Sequence, residues 1–315
     1  MKLYLTVEDV PNMTFLDPKM FLDAGHTFVD SAHVVDADIV INLNNHFING
    51  SNVVMLSLEP AFHPHVVDCY TKNYLYHSVF RLGDCDASLG SFPITEDPIA
   101  YPYHPQWSGE DLRRPDTTMR SRRAFFAGLA RFSDSPDAHG RHGLYAARTK
   151  LVSELPHCGV NVYAEGPGFG RDSRSDGRIL DWDRIKLELC QKVQADFHLC
   201  LENCQMTNYI SEKIHHGFAS DLVVLYLGNK DIHKWVPSEA FINLNEYYNP
   251  ERRVVNVSAV AEIIKTMTQE EYDRIIYSAR EWRESARLVE RFGAQGRRTT
   301  QKIIDRIAEV PVPCR

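Results

Sequence analysis

The fold is decided by residues 197–247, which read FHLCLENCQMTNYISEKIHHGFASDLVVLYLGNKDIHKWVPSEAFINLNEY. A short apolar run, 197–201, stops at Glu202 and Asn203, and a polar turn leads into a helical pattern. A second apolar run follows at 222–227. The order strand, loop, helix, strand predicts a parallel α/β sheet. Ligands of such sheets bind outside the carboxyl ends of the strands, and helix N-termini there favour phosphate.

Apolar runs alternate with helical patterns through the rest of the chain. Further strands are predicted at 2–7, 38–43, 52–58, 74–81, 123–129 and 160–163. Helices are predicted at 140–155, 183–194, 258–267, 270–292 and 298–307. The segment 89–120 is rich in proline and charge and shows no sustained periodicity, which is typical of a domain boundary. We therefore predict α/β domains at 1–119 and 120–292 and a C-terminal helix and tail at 293–315.

Composition narrows the class of protein. The chain has 315 residues and a formal net charge of -7, which argues against a general nucleic-acid binder. No apolar run approaches the ~20 residues that span a bilayer, and the N-terminus is too short and acidic for a signal peptide. Seven scattered cysteines without paired spacing indicate reduced thiols. These features predict a cytoplasmic protein.

Several elements of the opening stretch resemble, in the same order, the donor-binding signature of the α1,3-fucosyltransferases, glycosyltransferase family 10. They are Phe197, Leu199, Glu202-Asn203, Tyr209, Ser211-Glu212-Lys213, the strand 224–228 and Val236-Pro237 with Ala240-Phe241-Ile242. Ser211 stands where the family usually has threonine. The resemblance implies two facing Rossmann-like domains of the GT-B type with a helical C-terminal end. It also implies inverting transfer of L-fucose from GDP-fucose to a hydroxyl of an N-acetylglucosamine-containing glycan, in α1,3 linkage.

The resemblance assigns the donor-binding residues. Lys213, in the first turn of a helix, would place an ammonium beside backbone N–H groups that already favour anions. Arg141 would clamp the pyrophosphate, with Arg148 as a competitor for that role. The remaining polar donor ligands are Asn203, Tyr209 and Glu212. Glu212 and Asn203 could each accept from, or donate to, hydroxyls of the ribose or the sugar. The alternative is that Glu212 and Lys213 are solvated side chains in the first turn of a helix and bind no ligand.

A glycine-rich loop, 165–171, is a further candidate for donor contact. Its backbone N–H groups near Gly168, together with Arg171, could cradle phosphate. The same composition is equally typical of a mobile surface loop, and both interpretations stay open.

The acceptor side is expected in the N-terminal half. A strand at 53–58 ends in Glu59, as the family's acceptor-side strand ends in a glutamate. A carboxylate held at a cleft can take the acceptor hydroxyl proton, so Glu59 is the predicted catalytic base. His63 and His65 follow closely and are candidates for acceptor contact.

The resemblance also bears on localisation, cofactors and partners: without an N-terminal membrane anchor, it implies a cytoplasmic enzyme of bacterial or viral type. No metal site is predicted and no cofactor is required, although Mn or Mg could stimulate transfer. The partners are a nucleotide-sugar donor and a glycan acceptor, with no nucleic acid and no transmembrane segment. Local positive charge at Arg297, Arg298 and Lys302 suggests a peripheral membrane contact. The alternatives are a GT-B transferase that uses another nucleotide sugar, or a non-catalytic nucleotide- or glycan-binding relative.

Overall fold

The computed structural model of the protein describes residues 1–5, 16–43, 52–57, 77–81, 117–130, 143–170, 182–205, 209–285, 288 and 295–308. The chain divides into two compact units. The first comprises 1–102 and 290–315, and the second comprises 103–289. The helical end, predicted as a separate tail, therefore groups with the N-terminal unit.

Two sheets of five strands organise the units. The first contains β1 (Lys2–Leu5), β2 (Thr27–Phe28), β3 (Ile39–Leu43), β4 (Asn52–Ser57) and β5 (His77–Arg81). The second contains β6 (Ala124–Ala127), β7 (Val162–Glu165), β8 (Phe197–Leu201), β9 (Val223–Leu227) and β10 (Ile242–Asn243). A small antiparallel pair follows, β11 (Tyr248–Asn249) and β12 (Val254–Val255).

Seven α-helices lie in the described part of the chain. They are α1 (Pro18–Asp23), α2 (Tyr145–Glu154), α3 (Trp182–Lys192), α4 (Glu212–Ala219), α5 (Val257–Thr266), α6 (Gln269–Glu284) and α7 (Gln295–Ala308). Short 3-10 turns lie at Ser31–Asp36, Leu155–Cys158, Ile232–Lys234, Ser238–Ala240 and Leu244–Tyr247.

The two large sheets share one strand order. The first runs β2-β1-β3-β4-β5 and the second β7-β6-β8-β9-β10, and every neighbouring pair is parallel. This is a doubly wound order in which the direction of winding reverses between the first and third strands. The switch points therefore lie between β1 and β3 and between β6 and β8. The predicted α/β class, with two Rossmann-like domains, is confirmed.

The second sheet is buried on both faces. Side chains of alternate strand residues such as Phe197 and Leu199 share one core with residues of α2, α5 and α6. Phe125 faces the opposite side and packs with Cys190 of α3. Because parallel strands covered on both faces bury every side chain, β8 and β9 do not alternate between apolar and polar residues, and even His198 of β8 is buried.

Helix α7 packs within the first unit. Its Ile303 and Ile307 are fully buried, and the helix contacts α1. The Thr300 hydroxyl accepts a hydrogen bond from the backbone N–H of Asp17 at 2.7 Å. The apolar stripe of this helix is thus covered by the protein itself, whereas Arg297 is exposed.

Candidate donor-binding site

Several polar residues of the second unit lie at its switch point. Strand β6 ends at Ala127 and strand β8 ends at Leu201, and the chain then continues into Glu202 and Asn203. Helix α4 begins just beyond, with Ser211 as its N-cap residue. Ligands of doubly wound sheets bind in the crevice outside the strand ends at this point, where the two windings diverge.

The carboxylate of Glu202 is the centre of a buried hydrogen-bond network. Its Oε1 accepts from the backbone N–H of Ser211 at 2.9 Å, and its Oε2 accepts from the Ser211 hydroxyl at 2.5 Å. The hydroxyl of Tyr226, in β9, lies 3.5 Å from Oε1. Burial raises the pKa of Glu202, and Glu212 acts in the same direction, while Lys213 and the Ser211 hydrogen bonds oppose the rise. The network fixes the start of α4 against the end of β8.

Lys213 joins this network through its ammonium group. Its Nζ donates to the Ser211 hydroxyl and to Oε1 of Glu212, both at 3.1 Å, and lies 3.7 Å from Oε2 of Glu202. Burial acts to lower the pKa of Lys213, but the charges of Glu212 and Glu202 outweigh it, and the pKa is raised above its ordinary value. The Arg148 guanidinium has a smaller, opposing effect. The side chain is 21% exposed, so a permanent cation lies within reach of a ligand.

Gly228, directly after β9, makes room for Glu202. A Cβ atom at this position would overlap Cγ of Glu202 and lie 2.6 Å from the hydroxyl oxygen of Tyr226. No side chain fits there without displacing the carboxylate. The glycine that ends the second apolar run of the signature is therefore required by close packing rather than by backbone conformation.

Asn203 is held from two directions. Its backbone carbonyl accepts from the N–H of Leu144 at 2.7 Å, and its Oδ1 accepts from Nη1 of Arg148 at 2.6 Å. The neighbouring Cys204 forms an isolated antiparallel bridge with Gly143. The segment after β8 is thereby joined to the start of α2.

Two further predicted donor ligands lie nearby with different exposure. Glu212 is partly exposed and accepts from the Lys213 ammonium. Tyr209 is only 1% exposed, so its ring is part of the protein interior. Its predicted contact with the donor stays a prediction, as does that of Glu212.

The glycine-rich loop continues the pairing of β6 and β7. The N–H of Gly128 donates to the carbonyl of Glu165, and the N–H of Ala130 donates to that of Pro167, both at 2.9 Å. Gly168 has φ of +87° and a Cβ there would lie 2.6 Å from Cβ of Ala130. Backbone conformation and close packing thus both require glycine at 168. Its role in donor binding stays a prediction.

The other predicted site residues lie outside the described residues. They are the base Glu59, the acceptor candidates His63 and His65, the pyrophosphate clamp Arg141 and the loop residue Arg171. Arg141 stands two residues before Gly143 in the sequence, where the described chain resumes.

Sequence reasoning assigned no separate role to three residues that organise this site. Glu202 and Gly228 belong to the quoted signature, and Arg148 was only a competitor for the clamp. The signal for the first two is their position directly after apolar strands, where a carboxylate and a glycine end adjacent parallel strands. Nothing in the sequence places Arg148 beside Asn203, because 55 residues separate them.

Two searches for other kinds of site gave no candidates in the described part of the chain. No three His, Cys, Asp or Glu side chains there are grouped so that they could hold a metal ion. None of the helices described above is both long enough and apolar enough to cross a bilayer.

Comparison with solved structures gives low sequence identity over most of the chain. A crystal structure of an α1,3-fucosyltransferase is 14% identical, covers 88% of this chain and 80% of its own, and has a TM-score of 0.49. A structure of an α1,3-fucosyltransferase with GDP-fucose is 14% identical, covers 88% of this chain and 81% of its own, and has a TM-score of 0.45. AviGT4, a glycosyltransferase involved in avilamycin A biosynthesis, is 12% identical, covers 98% of this chain and 99% of its own, and has a TM-score of 0.45. No curated protein sequence matches the chain.

Comparison with protein families identifies the second half of the chain. The family described as glycosyltransferase family 10 (fucosyltransferase), C-terminal part, matches residues 141–308, just over half of the chain. The matched region contains the whole network around Glu202 and Lys213. This protein is a glycosyltransferase that belongs to glycosyltransferase family 10, the fucosyltransferases.

Proposed function

We propose that the protein transfers L-fucose from GDP-fucose to a hydroxyl of an N-acetylglucosamine-containing glycan, forming an α1,3 linkage by a single inverting displacement. The observation that carries the proposal is the charged Lys213 at the first turn of α4, beside the switch point of the second sheet. Family membership and the GDP-fucose named with one of the similar structures support this donor.

The ammonium of Lys213 suits a diphosphate. It has three N–H donors, of which the Ser211 hydroxyl and the Glu212 carboxylate engage two. The third can donate to a phosphate oxygen. Backbone N–H groups of the helix start favour the same negative charge.

The reaction places charge where these groups lie. The acceptor oxygen attacks the anomeric carbon of fucose while its proton passes to the carboxylate of Glu59. The bond from that carbon to the β-phosphate oxygen breaks, and GDP leaves with the electron pair. Lys213 and Arg141 stabilise the leaving diphosphate, which is charge stabilisation at the point where charge develops. Asn203, Tyr209 and Glu212 orient the donor.

The remaining assignments complete the proposal. Gly168 and Arg171 contribute the glycine-rich donor loop, and His63 and His65 contact the acceptor. Transfer needs no metal ion, although Mn or Mg can stimulate it. The protein acts in the cytoplasm, with the basic C-terminal helix as a peripheral membrane contact.

The test is nucleotide release from a panel of donors with N-acetylglucosamine-terminated glycans, followed by mass spectrometry of the products. We expect GDP release from GDP-fucose and a product heavier by one deoxyhexose. Lys213→Met should lower kcat/KM by about 10²- to 10³-fold, the usual effect of removing one electrostatic stabiliser. Lys150→Met, which removes an exposed lysine of α2, is the matched control and should keep full activity.

Three results would count against the proposal. Release of a different nucleotide from another sugar donor would show that GDP-fucose is not the donor. Tight GDP binding without release from any donor and acceptor would indicate a non-catalytic relative. Full activity of Glu59→Ala would remove the assignment of the base.

A further inference from the structure

The guanidinium of Arg148 joins three segments at the switch point of the second sheet. Its Nη1 donates to Oδ1 of Asn203 at 2.6 Å and approaches the carbonyl oxygen of Leu201 at 3.4 Å. Its Nη2 lies 3.4 Å from the carbonyl oxygen of Leu129. The guanidinium carbon also lies 4.3 Å from the centre of the Tyr145 ring. A cation only 3% exposed thus lies between the chain ends of β6 and β8.

This contact fixes which atom of the Asn203 amide faces which way. A guanidinium has N–H donors and no acceptor, so only the oxygen of the amide can face it at hydrogen-bond distance. With the amide reversed, its NH2 group would face Nη1 of Arg148, and two hydrogen-bond donors would meet. Arg148 therefore sets the orientation of the amide, and Nδ2 of Asn203 projects from the opposite side of the amide group.

The nitrogen of this amide is available for a ligand. Asn203 is partly exposed, its backbone is anchored to Leu144, and no hydrogen bond among the described residues engages its Nδ2. The Lys213 ammonium belongs to the same end of the sheet, and the charge of Arg148 acts on it. The surroundings thus present N–H donors, which suit an oxygen acceptor.

We propose that Arg148 is a positioning residue that holds Asn203 as a hydrogen-bond donor toward an acceptor oxygen of the sugar nucleotide. The inference rests on the proposed function, because it assumes that the donor occupies this crevice. It decides between the two roles that the sequence left open for Asn203. It also gives Arg148 a role distinct from a direct phosphate clamp, since its Nη1 and Nη2 groups face protein oxygens.

Asn203→Asp tests the direction of the hydrogen bond. The carboxylate keeps an oxygen facing Arg148 and strengthens that contact by charge, so the thermal midpoint should not fall. The outward N–H donor becomes an acceptor oxygen that repels the ligand. We expect the Kd for GDP-fucose, measured by calorimetry, to rise at least about 10-fold, because a hydrogen bond to the ligand is lost and its donor is replaced by a repelling oxygen. KM for the donor should rise more than kcat falls.

Comparison of two ligands distinguishes the source of the acceptor oxygen. If it belongs to the GDP moiety, Asn203→Asp weakens GDP and GDP-fucose by the same factor. If it belongs to the sugar, only GDP-fucose is weakened. Either pattern supports donation from Nδ2. Unchanged affinity for both ligands would overturn the inference.

A double-mutant cycle tests whether Arg148 acts through Asn203. Arg148→Met should weaken GDP-fucose binding in the otherwise unchanged protein and should add little in an Asn203→Ala background. A purely structural arginine would weaken binding equally in both backgrounds, and that result would overturn the positioning role. Arg122→Met is the matched control, since the Arg122 guanidinium donates to the Ile264 carbonyl at 2.9 Å before the amino end of β6. This variant should lose stability and keep its affinity for GDP-fucose.

The failure of this inference and of the proposed function can be told apart. If the protein releases GDP from GDP-fucose while Asn203→Asp binds both GDP and GDP-fucose with unchanged affinity, the transferase function stands and the inference fails. If the protein neither binds GDP nor releases it, the function fails and the inference fails with it. Should Arg148→Met not fold, Asn203→Asp still decides the direction of the hydrogen bond.

Discussion

Replacement of His198 by glutamine should make the second unit more resistant to acid. His198 lies in β8 with its side chain buried between α3 and α4. Its Nδ1 is 3.0 Å from the hydroxyl of Ser220, which donates its only proton to the Gly217 carbonyl, so Nδ1 carries a proton and donates. Glutamine preserves a polar group there and cannot titrate.

The size of the effect follows from the two pKa values. Burial, reinforced by the charges of His216 and Lys186, lowers the pKa of His198 from 6.5 to about 3. Cys190 is the other titratable group in contact, with Sγ 4.0 Å from Nδ1. Between pH 6.5 and about 3 the unfolded chain binds a proton at His198 and the folded chain does not, so stability is lost as the pH falls. At pH 5 this loss amounts to about 2 kcal/mol relative to pH 8.

Urea unfolding followed by tryptophan fluorescence measures this difference. All four tryptophans lie within 103–289, so the signal reports the second unit. The free energy of unfolding should fall by about 2 kcal/mol more between pH 8 and pH 5 in the original protein than in His198→Gln. His233→Gln, which replaces an exposed histidine, should behave like the original protein. Parallel pH curves for the original protein and His198→Gln would refute the reasoning.

Three further substitutions test the contacts of the second unit. Asp221→Ala should lower the free energy of unfolding in urea by about 3 to 5 kcal/mol, because Asp221 is 2% exposed and accepts two hydrogen bonds from Arg280. A decrease below about 1 kcal/mol would contradict this prediction. Gly228→Ala should lower the free energy of unfolding by about 1 to 3 kcal/mol and weaken GDP binding, because the added methyl group displaces Glu202. An unchanged GDP affinity in calorimetry would argue that Gly228 is not required for close packing against Glu202. Ser211→Ala should lower stability by about 1 to 3 kcal/mol, since the buried carboxylate loses a donor, while Ser211→Thr should stay close to the original; equal thermal midpoints for the two variants would count against the hydroxyl's role.

Strand and helix positions in the second unit could be predicted from the sequence. The apolar run 197–201 became β8 without change, and 222–227 became β9 but for one residue. These strands are continuous and apolar because helices cover both faces of the sheet, which gives a strong local signal. Lys213 at the start of a helix was also predictable, because Ser211 is a typical N-cap residue.

Contacts between distant parts of the sequence could not be predicted in the same way. The Arg148 contact with Asn203 depends on the register of α2 against the end of β8, which no local pattern encodes. The composition of the loop 165–171 is equally typical of a phosphate-binding loop and of a surface loop, whereas glycine at 166 and 168 is required by a positive φ and by the close approach of Gly128 and Ala130. The residue type alone also does not distinguish a buried side chain from a ligand contact, and Tyr209, predicted as a donor ligand, is only 1% exposed.

The grouping of α7 with the first unit has a consequence for the order of synthesis. The second unit is one continuous segment, 103–289, whereas the first is split into 1–102 and 290–315. On the ribosome, β1 and α1 emerge roughly 270 residues before the helix that covers α1, an interval of about 14 to 54 s. The second unit has its whole sequence available within that interval. We therefore expect that the second unit can fold before the first, because α7 of the first unit is synthesised only after residues 103–289.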